Sequence, residues 1–262
     1  MIRLQFDRVT KSFPPQRRGG QGVTAIADVD VRVEEGEVVA LIGPSGCGKS
    51  TLLNLASGLD MPSRGRVFVD GTEVTGPNSH VAFMLQRDLL LPWRSILDNV
   101  TFGQEIQQVE KGKRREIAQK LLRKYHLGEF INHFPHQLSG GMRQRAALAR
   151  TMAMDPAVLL LDEPFSALDA QTKMVLQQDL ARTLWEEKKT AFLITHDLTE
   201  AIALADRVLV MSRRPGRIVR EIPVTIPGRN DPMVRRQHPD MGKIMAQLMT
   251  LLDIGHSEKL DG

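Results

Sequence analysis

Nine residues, Gly43-Pro44-Ser45-Gly46-Cys47-Gly48-Lys49-Ser50-Thr51, follow an apolar run at 38–42 and precede a Leu-rich stretch. Strand, glycine-rich turn and helix in that order are what a phosphate-binding loop requires. Glycines let backbone N–H groups approach phosphate oxygens, and the helix N-terminus adds roughly half a positive charge. Lys49 is spaced to reach the β and γ phosphates of a nucleotide, and Ser50 to offer a hydroxyl to Mg²⁺. A dinucleotide-binding turn would lack Lys and Ser at this spacing and would carry an acid about 20 residues on.

A second constellation complements the loop. The run Val158-Leu159-Leu160-Leu161-Asp162-Glu163-Pro164 reads as a buried strand that delivers two carboxylates to the carboxyl edge of a sheet, where open α/β sheets bind ligands. There Asp162 would hold Mg²⁺ through water, and Glu163 would polarise the attacking water as general base. A third element, Leu138-Ser139-Gly140-Gly141-Met142-Arg143-Gln144-Arg145, opens an Ala-rich helix. By itself it is either a Ser-Gly-Gly helix cap or a second anion site with no lysine of its own.

The elements that must position these residues alternate. Strands are expected over 2–9, 29–33, 38–42, 66–70 and 81–85, then helical periodicity from 95 to about 154. Strand and helix alternate again: 158–161, a helix over 171–187, 191–195, a short helix from Leu198, 207–211 and 218–222. The pattern implies an α/β fold with a mainly parallel sheet covered by helices on both faces. Residues 1–230 form the expected domain, with a helical insertion at about 95–155, and residues 231–262 a short helical tail carrying Met241, Ile244, Met245, Leu248 and Leu251.

Composition bounds the rest. The 262 residues carry 35 Lys and Arg against 31 Asp and Glu, and a net charge of +4 is too small to argue for nucleic-acid binding. Basic runs at 111–115 and 213–217 are either solvated faces or contacts to phosphates or a membrane surface. No apolar run exceeds five residues, against roughly 18–20 for a membrane span. The first ten residues alternate charged and apolar types without the centre of a secretory signal, so a cytoplasmic protein is expected. The single cysteine, Cys47, sits in the phosphate loop beside Lys49, either as a small tolerated residue or as a reactive thiol next to the bound phosphates.

Together the phosphate loop, the Leu-Ser-Gly-Gly segment and the Asp162-Glu163 strand resemble, in order and spacing, an ATP-binding cassette (ABC) ATPase over residues 1–222. The resemblance implies a P-loop NTPase (RecA-like) core with an antiparallel β subdomain and an inserted α-helical subdomain. It also implies roles for other residues. Gln86 matches the glutamine that touches Mg²⁺ and signals to a membrane partner, Asp169 in Ser166-Ala167-Leu168-Asp169 the aspartate that crosses a dimer interface, and His196 the histidine at the γ-phosphate. From the residues alone His196 is a strand-end histidine, and Phe13 is either core or the aromatic under adenine. Met142 departs from the usual glutamine of the signature, where phosphate contacts come from Ser139 and backbone N–H groups.

The resemblance further implies that ATP is hydrolysed between two copies of the chain, with Ser139, Gly140 and Gly141 of one completing the site of the other. It implies a peripheral subunit on the cytoplasmic face of the inner membrane, bound to two transmembrane permease subunits that a solute-binding protein serves from outside. The segment Gln86-Arg87-Asp88-Leu89-Leu90-Leu91-Pro92-Trp93-Arg94, with Leu97-Asp98-Asn99-Val100, is similar to the nitrate, sulfonate and taurine importer group. An exporter or lipid-transport ATPase, or a soluble cassette protein, would use the same ATP chemistry.

Overall fold

The computed structural model describes residues 1–15, 22–166 and 168–252. Most of the loop expected at 17–22, Ala167 within the 166–169 segment, and the end of the tail from 253 lie outside the described residues.

The chain opens with two long strands, β1 (Ile2–Phe13) and β2 (Val23–Glu34), followed by β3 (Val38–Ile42) and, after the phosphate loop, α1 (Lys49–Ser57). Next come β4 (Arg64–Val69), β5 (Thr72–Glu73) and β6 (Val81–Met84). Three helices then cluster, α2 (Ile96–Ile106), α3 (Lys111–Lys124) and α4 (Gly140–Ala153). The alternation resumes with β7 (Val158–Asp162), α5 (Ala170–Glu186), β8 (Thr190–Ile194), α6 (Leu198–Leu204), β9 (Arg207–Met211) and β10 (Ile218–Pro223). Two helices follow, α7 (Pro232–Gln237) and α8 (Met241–Leu251).

Among the described residues there are two sheets. An antiparallel one has the order β2-β1-β4-β5, and a larger one the order β10-β9-β3-β8-β7-β6, parallel throughout except for its edge strand β10. This is the P-loop NTPase α/β core with an antiparallel β subdomain and a helical insertion. The strand expected at 29–33 begins earlier, at Val23, because Phe13 pairs with Val23 and Ser12 with Thr24. Register shifts and a positive φ of 54° at Asp28 interrupt the apolar alternation there, so the sequence pattern shows only the regular half.

Side chains alternate across each parallel strand, so one run of apolar residues fills two cores. Val38, Ala40 and Ile42 join Leu159, Leu161, Ala191 and Leu193 on the face covered by α2, α4, α5, α6 and α8. Val39 and Leu41 join Leu160, Phe192 and Ile194 on the other face, under α1 and the antiparallel sheet. Burying such a Leu or Ile is favourable by roughly 1.5–3 kcal/mol, and burial on both sides holds the strand ends in fixed relation. Residues after Asp231 join the same layer: Met241, Ile244 and Leu248 are buried in it. Arg235 is buried too, and its guanidinium donates to the carbonyls of Ile202 at 3.2 Å and Ala205 at 2.6 Å, satisfying the C-terminal end of α6. Burial pulls the Arg235 pKa down to about 10.

Candidate functional site

Strands β6, β7, β8, β3 and β9 are parallel neighbours in that order, so their carboxyl ends lie along one edge of the sheet. From those ends leave, in turn, Gln86, Glu163, His196, the phosphate loop and Arg214. Residues up to 171 positions apart in sequence thus become a row, which is the geometry that places ligands at the switch point of a doubly wound sheet.

The loop's shape is dictated by its glycines. At Gly48 φ is 111°, and a Cβ would lie 2.5 Å from Ile26 Cγ2 and 3.0 Å from the Ala25 carbonyl oxygen, so no other residue fits where the loop turns into α1. Lys49 Nζ donates to the carbonyls of Gly43 at 2.7 Å and Pro44 at 3.0 Å, which holds the ammonium over the loop. A cavity of about 920 Å³ lies there, lined by Phe13, Gly43, Ser45, Gly46, Gly48, Lys49, Ser50, Thr51, Glu163, His196 and Arg214 among others.

Two carboxylates leave β7 into different surroundings. Asp162 is half-buried, and burial raises its pKa, while it accepts a hydrogen bond from the Ser50 hydroxyl and feels the Lys49 charge, both of which oppose the rise. Ser50 and Asp162, joined by that hydrogen bond, make a small set of hard oxygen donors. That set fits Mg²⁺, which takes few protein ligands and completes its shell with water and phosphate oxygens. Among the described residues no cluster of three or more His, Cys, Asp or Glu exists that could cage a metal without them.

Glu163 is a non-glycine residue at φ 46°, a sparsely populated conformation. Its N–H donates to the Ile194 carbonyl at 2.9 Å, which draws it toward the end of β8. There its Oε2 lies 3.2 Å from His196 Nδ1 and accepts from Gln86 Nε2 at 3.3 Å. Gln86 Nε2 also reaches Ser166 Oγ at 3.1 Å. The three side chains meet around one carboxylate oxygen, and Glu163 with His196 borders the cavity. Backbone strain at such a convergence is characteristic of residues held for chemistry.

Phe13 is 41% exposed and lines the cavity, outside both cores, and Lys11 Nζ stands 5.0 Å from its ring centroid. Cys47 behaves in the opposite way. The sequence placed its thiol beside the phosphates, but the residue is 1% exposed and belongs to the core under α1, because the loop closes over it and turns the side chain inward. The thiol packs beneath the loop, with Sγ 3.9 Å from Lys49 Nζ but closed off from solvent. The expected result is therefore that a maleimide leaves the folded protein unlabelled and adds to one thiol per chain in denaturant, which intact-mass measurement reads directly; rapid labelling of the native protein would place the thiol at the surface.

Sequence reasoning did not single out Arg214, although contact with phosphates was one of the readings left open for the basic run at 213–217 in which it lies. The guanidinium donates to the Gly46 carbonyl through Nη2 at 2.9 Å and Nε at 3.2 Å.

Ser139 caps α4, accepting from the Met142 N–H at 3.3 Å, and Asp169 caps α5, accepting from the Thr172 N–H at 3.0 Å. The hydrogen bond from the Thr172 hydroxyl, with that from its backbone, holds the Asp169 carboxyl below the usual range. Gly141 packs on Thr172, where a Cβ would come within 2.2 Å of Thr172 Cγ2, so the two helix N-termini adjoin. None of Ser139, Gly140, Gly141 and Asp169 lines the cavity.

The segment after Gln86 is tied to α4. Gln144 Nε2 donates to the Gln86 carbonyl at 3.0 Å, Arg143 Nε to Asp88 at 3.0 Å, and Arg150 to the carbonyls of Asp88 and Leu89 at 2.7 and 2.8 Å. Buried Asn99 fastens the far end, bonding the backbone of Leu91, Arg94 and Ser95. Between these anchors Leu89 and Trp93 are exposed, Trp93 at 72%.

Comparison with known proteins agrees with this geometry. The ABC transporter family profile matches residues 26–166. An uncharacterized ABC transporter ATP-binding protein of Methanocaldococcus jannaschii is 46% identical over 83% of this chain and 80% of its own. The taurine import ATP-binding protein of Yersinia pestis is 41% identical over 88% of this chain and 96% of its own. The chain belongs to the ABC transporter ATPase family. A solved ATP-binding cassette, dimeric in a post-hydrolysis state and bound to ADP and phosphate, superposes with a TM-score of 0.74 at 32% identity, over 84% of this chain and 98% of its own. The protein is thus an ATP-binding, ATP-hydrolysing ABC subunit.

In this ABC ATPase a buried polar network stands directly behind His196. Lys173 on α5 donates to Asp197 at 2.7 Å and lies 3.1 Å from Glu200, which also accepts from Gln177 at 3.1 Å. Glu200 is 2% exposed, and burial raises its pKa. Burial also works against the Lys173 charge, but the bonds to Asp197 and Glu200 outweigh it and hold its pKa above the ordinary lysine value. Arg236 of α7 bonds Gln177, so the C-terminal helices reach the same network. Lys173→Met should cost about 2–4 kcal/mol, since it strands a buried carboxylate. Adding Glu200→Gln should recover part of the loss in urea unfolding. Equal, additive losses would mean that the pair does not interact.

Proposed function

We propose that two copies of this ABC ATPase pack head to tail, each ATP lying between the phosphate loop of one copy and residues 139–141 of the other, and that the pair powers import of a small solute. The observation that carries the dimer is the separation of Ser139, Gly140, Gly141 and Asp169 from the cavity that holds Lys49, Ser50, Glu163 and His196. In one chain those residues stand apart from that cavity, whereas an isologous pair would bring each set to the other's loop twice over. The dimeric state of the solved cassette supports this reading.

Within that site Lys49 and the loop N–H groups hold the β and γ phosphates, and Phe13 stacks on adenine. Ser50, Asp162 and Gln86 hold Mg²⁺, which supplies neutralisation of charge on the phosphates. Glu163 takes a proton from the attacking water as its oxygen adds to the γ-phosphorus and the bond to the β–γ bridging oxygen breaks, leaving ADP and phosphate. His196 donates to the γ-phosphate and orients Glu163 from its Nδ1 side. Gln86 touches Glu163 with its side chain and Gln144 with its carbonyl, so hydrolysis is felt on α4 and in the exposed Leu89 and Trp93 segment. That segment is the docking surface for a permease subunit.

Two transmembrane permeases and an extracytoplasmic solute-binding protein complete the importer. No helix among the described residues is long and apolar enough to cross a membrane, so the chain's place in this reading is peripheral, on the cytoplasmic face of the inner membrane. The taurine import relative and the segment at 86–94 favour a small sulfonate, taurine or nitrate. In the assembled complex, the binding protein loaded with that anion should stimulate ATP hydrolysis, and deletion of this chain should abolish growth on the anion as sole sulfur or nitrogen source at low concentration. Stimulation by a sugar or an amino acid would overturn the solute, and stimulation without any binding protein would point to an exporter.

A further inference from the structure

We propose that Arg214 is a nucleotide-binding residue, holding the polyphosphate chain from the side of the loop opposite Glu163 and His196. Sheet order sets the side: β9 flanks β3 on one edge and β8, which leads to His196, on the other. The turn that carries Arg214 is anchored to the loop it serves. Gly216 donates to the Ala25 carbonyl at 2.9 Å and accepts from the Ala27 N–H at 3.0 Å, and a Cβ at Gly216 would lie 2.2 Å from the Cys47 carbonyl oxygen. Within the turn, Ser212 and Arg217 exchange hydrogen bonds, Ser212 N–H to the Arg217 carbonyl at 2.9 Å and Arg217 N–H to Ser212 Oγ at 3.0 Å. Arg214 is therefore presented from a platform packed against the phosphate loop itself.

The guanidinium is chemically incomplete. Nε and one Nη2 hydrogen serve the Gly46 carbonyl, and among the described residues no carboxylate pairs with Arg214 and no other hydrogen bond engages its remaining donors. Those donors stand at the wall of the 920 Å³ cavity, together with Lys49. A planar cation fixed at one edge by a neutral carbonyl, with its fork otherwise unpaired, matches phosphate oxygens. Ala25 on β2, to which the turn bonds through Gly216, lines the cavity together with Val23 of the same strand and Phe13 paired with it. Contact is thus made to the phosphates near the ribose, which ATP and ADP share, rather than to the transferred γ-phosphate.

The test is equilibrium binding of fluorescent ATP, ADP and adenosine analogues to the purified protein and its Arg214→Gln and Arg214→Lys variants, at low and high salt. Loss of a hydrogen bond to a charged group predicts ATP and ADP affinities lower by roughly 10- to 100-fold in Arg214→Gln, with adenosine changed by less than about twofold. Arg214→Lys should restore part of the affinity, and the salt dependence should be shallower in Arg214→Gln than in wild type. Unchanged ADP affinity overturns the assignment. So does a loss that includes adenosine, keeps the wild-type salt dependence and comes with a lower Tm in both variants, for then Arg214 only props the loop through Gly46.

Discussion

A Glu163→Gln protein should bind MgATP with wild-type affinity and turn it over at least 10²-fold more slowly, the usual range for losing a general base. The substitution is isosteric, and the amide oxygen can still accept from Gln86 Nε2, now 3.3 Å from the carboxylate, so the convergence at the cavity edge should survive. What disappears is the anion that receives the water proton. Lys49→Ala should separate from it cleanly, lowering affinity and turnover together, because in the proposed site its ammonium, held over the loop by the Gly43 and Pro44 carbonyls, serves the phosphates rather than the water. Equilibrium ATP binding measured beside single-turnover hydrolysis distinguishes the two variants. A Glu163→Gln protein that hydrolyses ATP at the normal rate removes Glu163 from the base role, and leaves its positive φ of 46° and its contact with His196 in need of another purpose.

The parts of the site that were legible in sequence are those built from contiguous residues. A glycine-rich loop between an apolar strand and a helix states its chemistry locally, as does a strand ending in Asp162 and Glu163. β3 and β7 were recognisable because strands buried on both faces read as unbroken apolar runs. The helix start at Ser139 was visible because capping is a property of a few adjacent residues, whereas the cap that Asp169 gives α5 was not read from the sequence. What escaped depends on pairing across the chain. The first half of β2 is a strand only because β1 holds it through an irregular register, and α7 is six residues whose packing rests on Arg235 and Arg236 reaching α6 and α5. Arg214 looked like one charge among several, since nothing local says that its turn folds back on Gly46. For Cys47 the error was one of direction: neighbours in sequence suggested an exposed thiol, while the closing of the loop over Ile26 and Met211 buried it.

Mixing inactive subunits provides the decisive measurement of the shared site. A Ser139→Arg chain keeps its own phosphate loop but offers its partner a cation and a bulky side chain in place of the cap hydroxyl. A Lys49→Ala chain keeps its signature but loses its own loop's charge. Each should be nearly inactive alone. In a mixed dimer, however, the intact loop of the first faces the intact signature of the second, and one of the two sites is whole. With random pairing about half of the dimers are mixed, so a one-to-one mixture should recover about a quarter of wild-type activity if the sites act independently. The Ser139 substitution removes one helix cap, a loss of about 1 kcal/mol, too little to unfold a chain whose α4 carries Ala146, Ala147, Leu148 and Ala149 into the core. If instead each chain completed its own site, both variants would carry a defect in cis and no mixture could regain activity, however many mixed dimers native mass spectrometry counted. The outcome turns on geometry: within one chain Ser139 lies outside the cavity that Lys49 lines, and in the proposed dimer a second chain brings the two together.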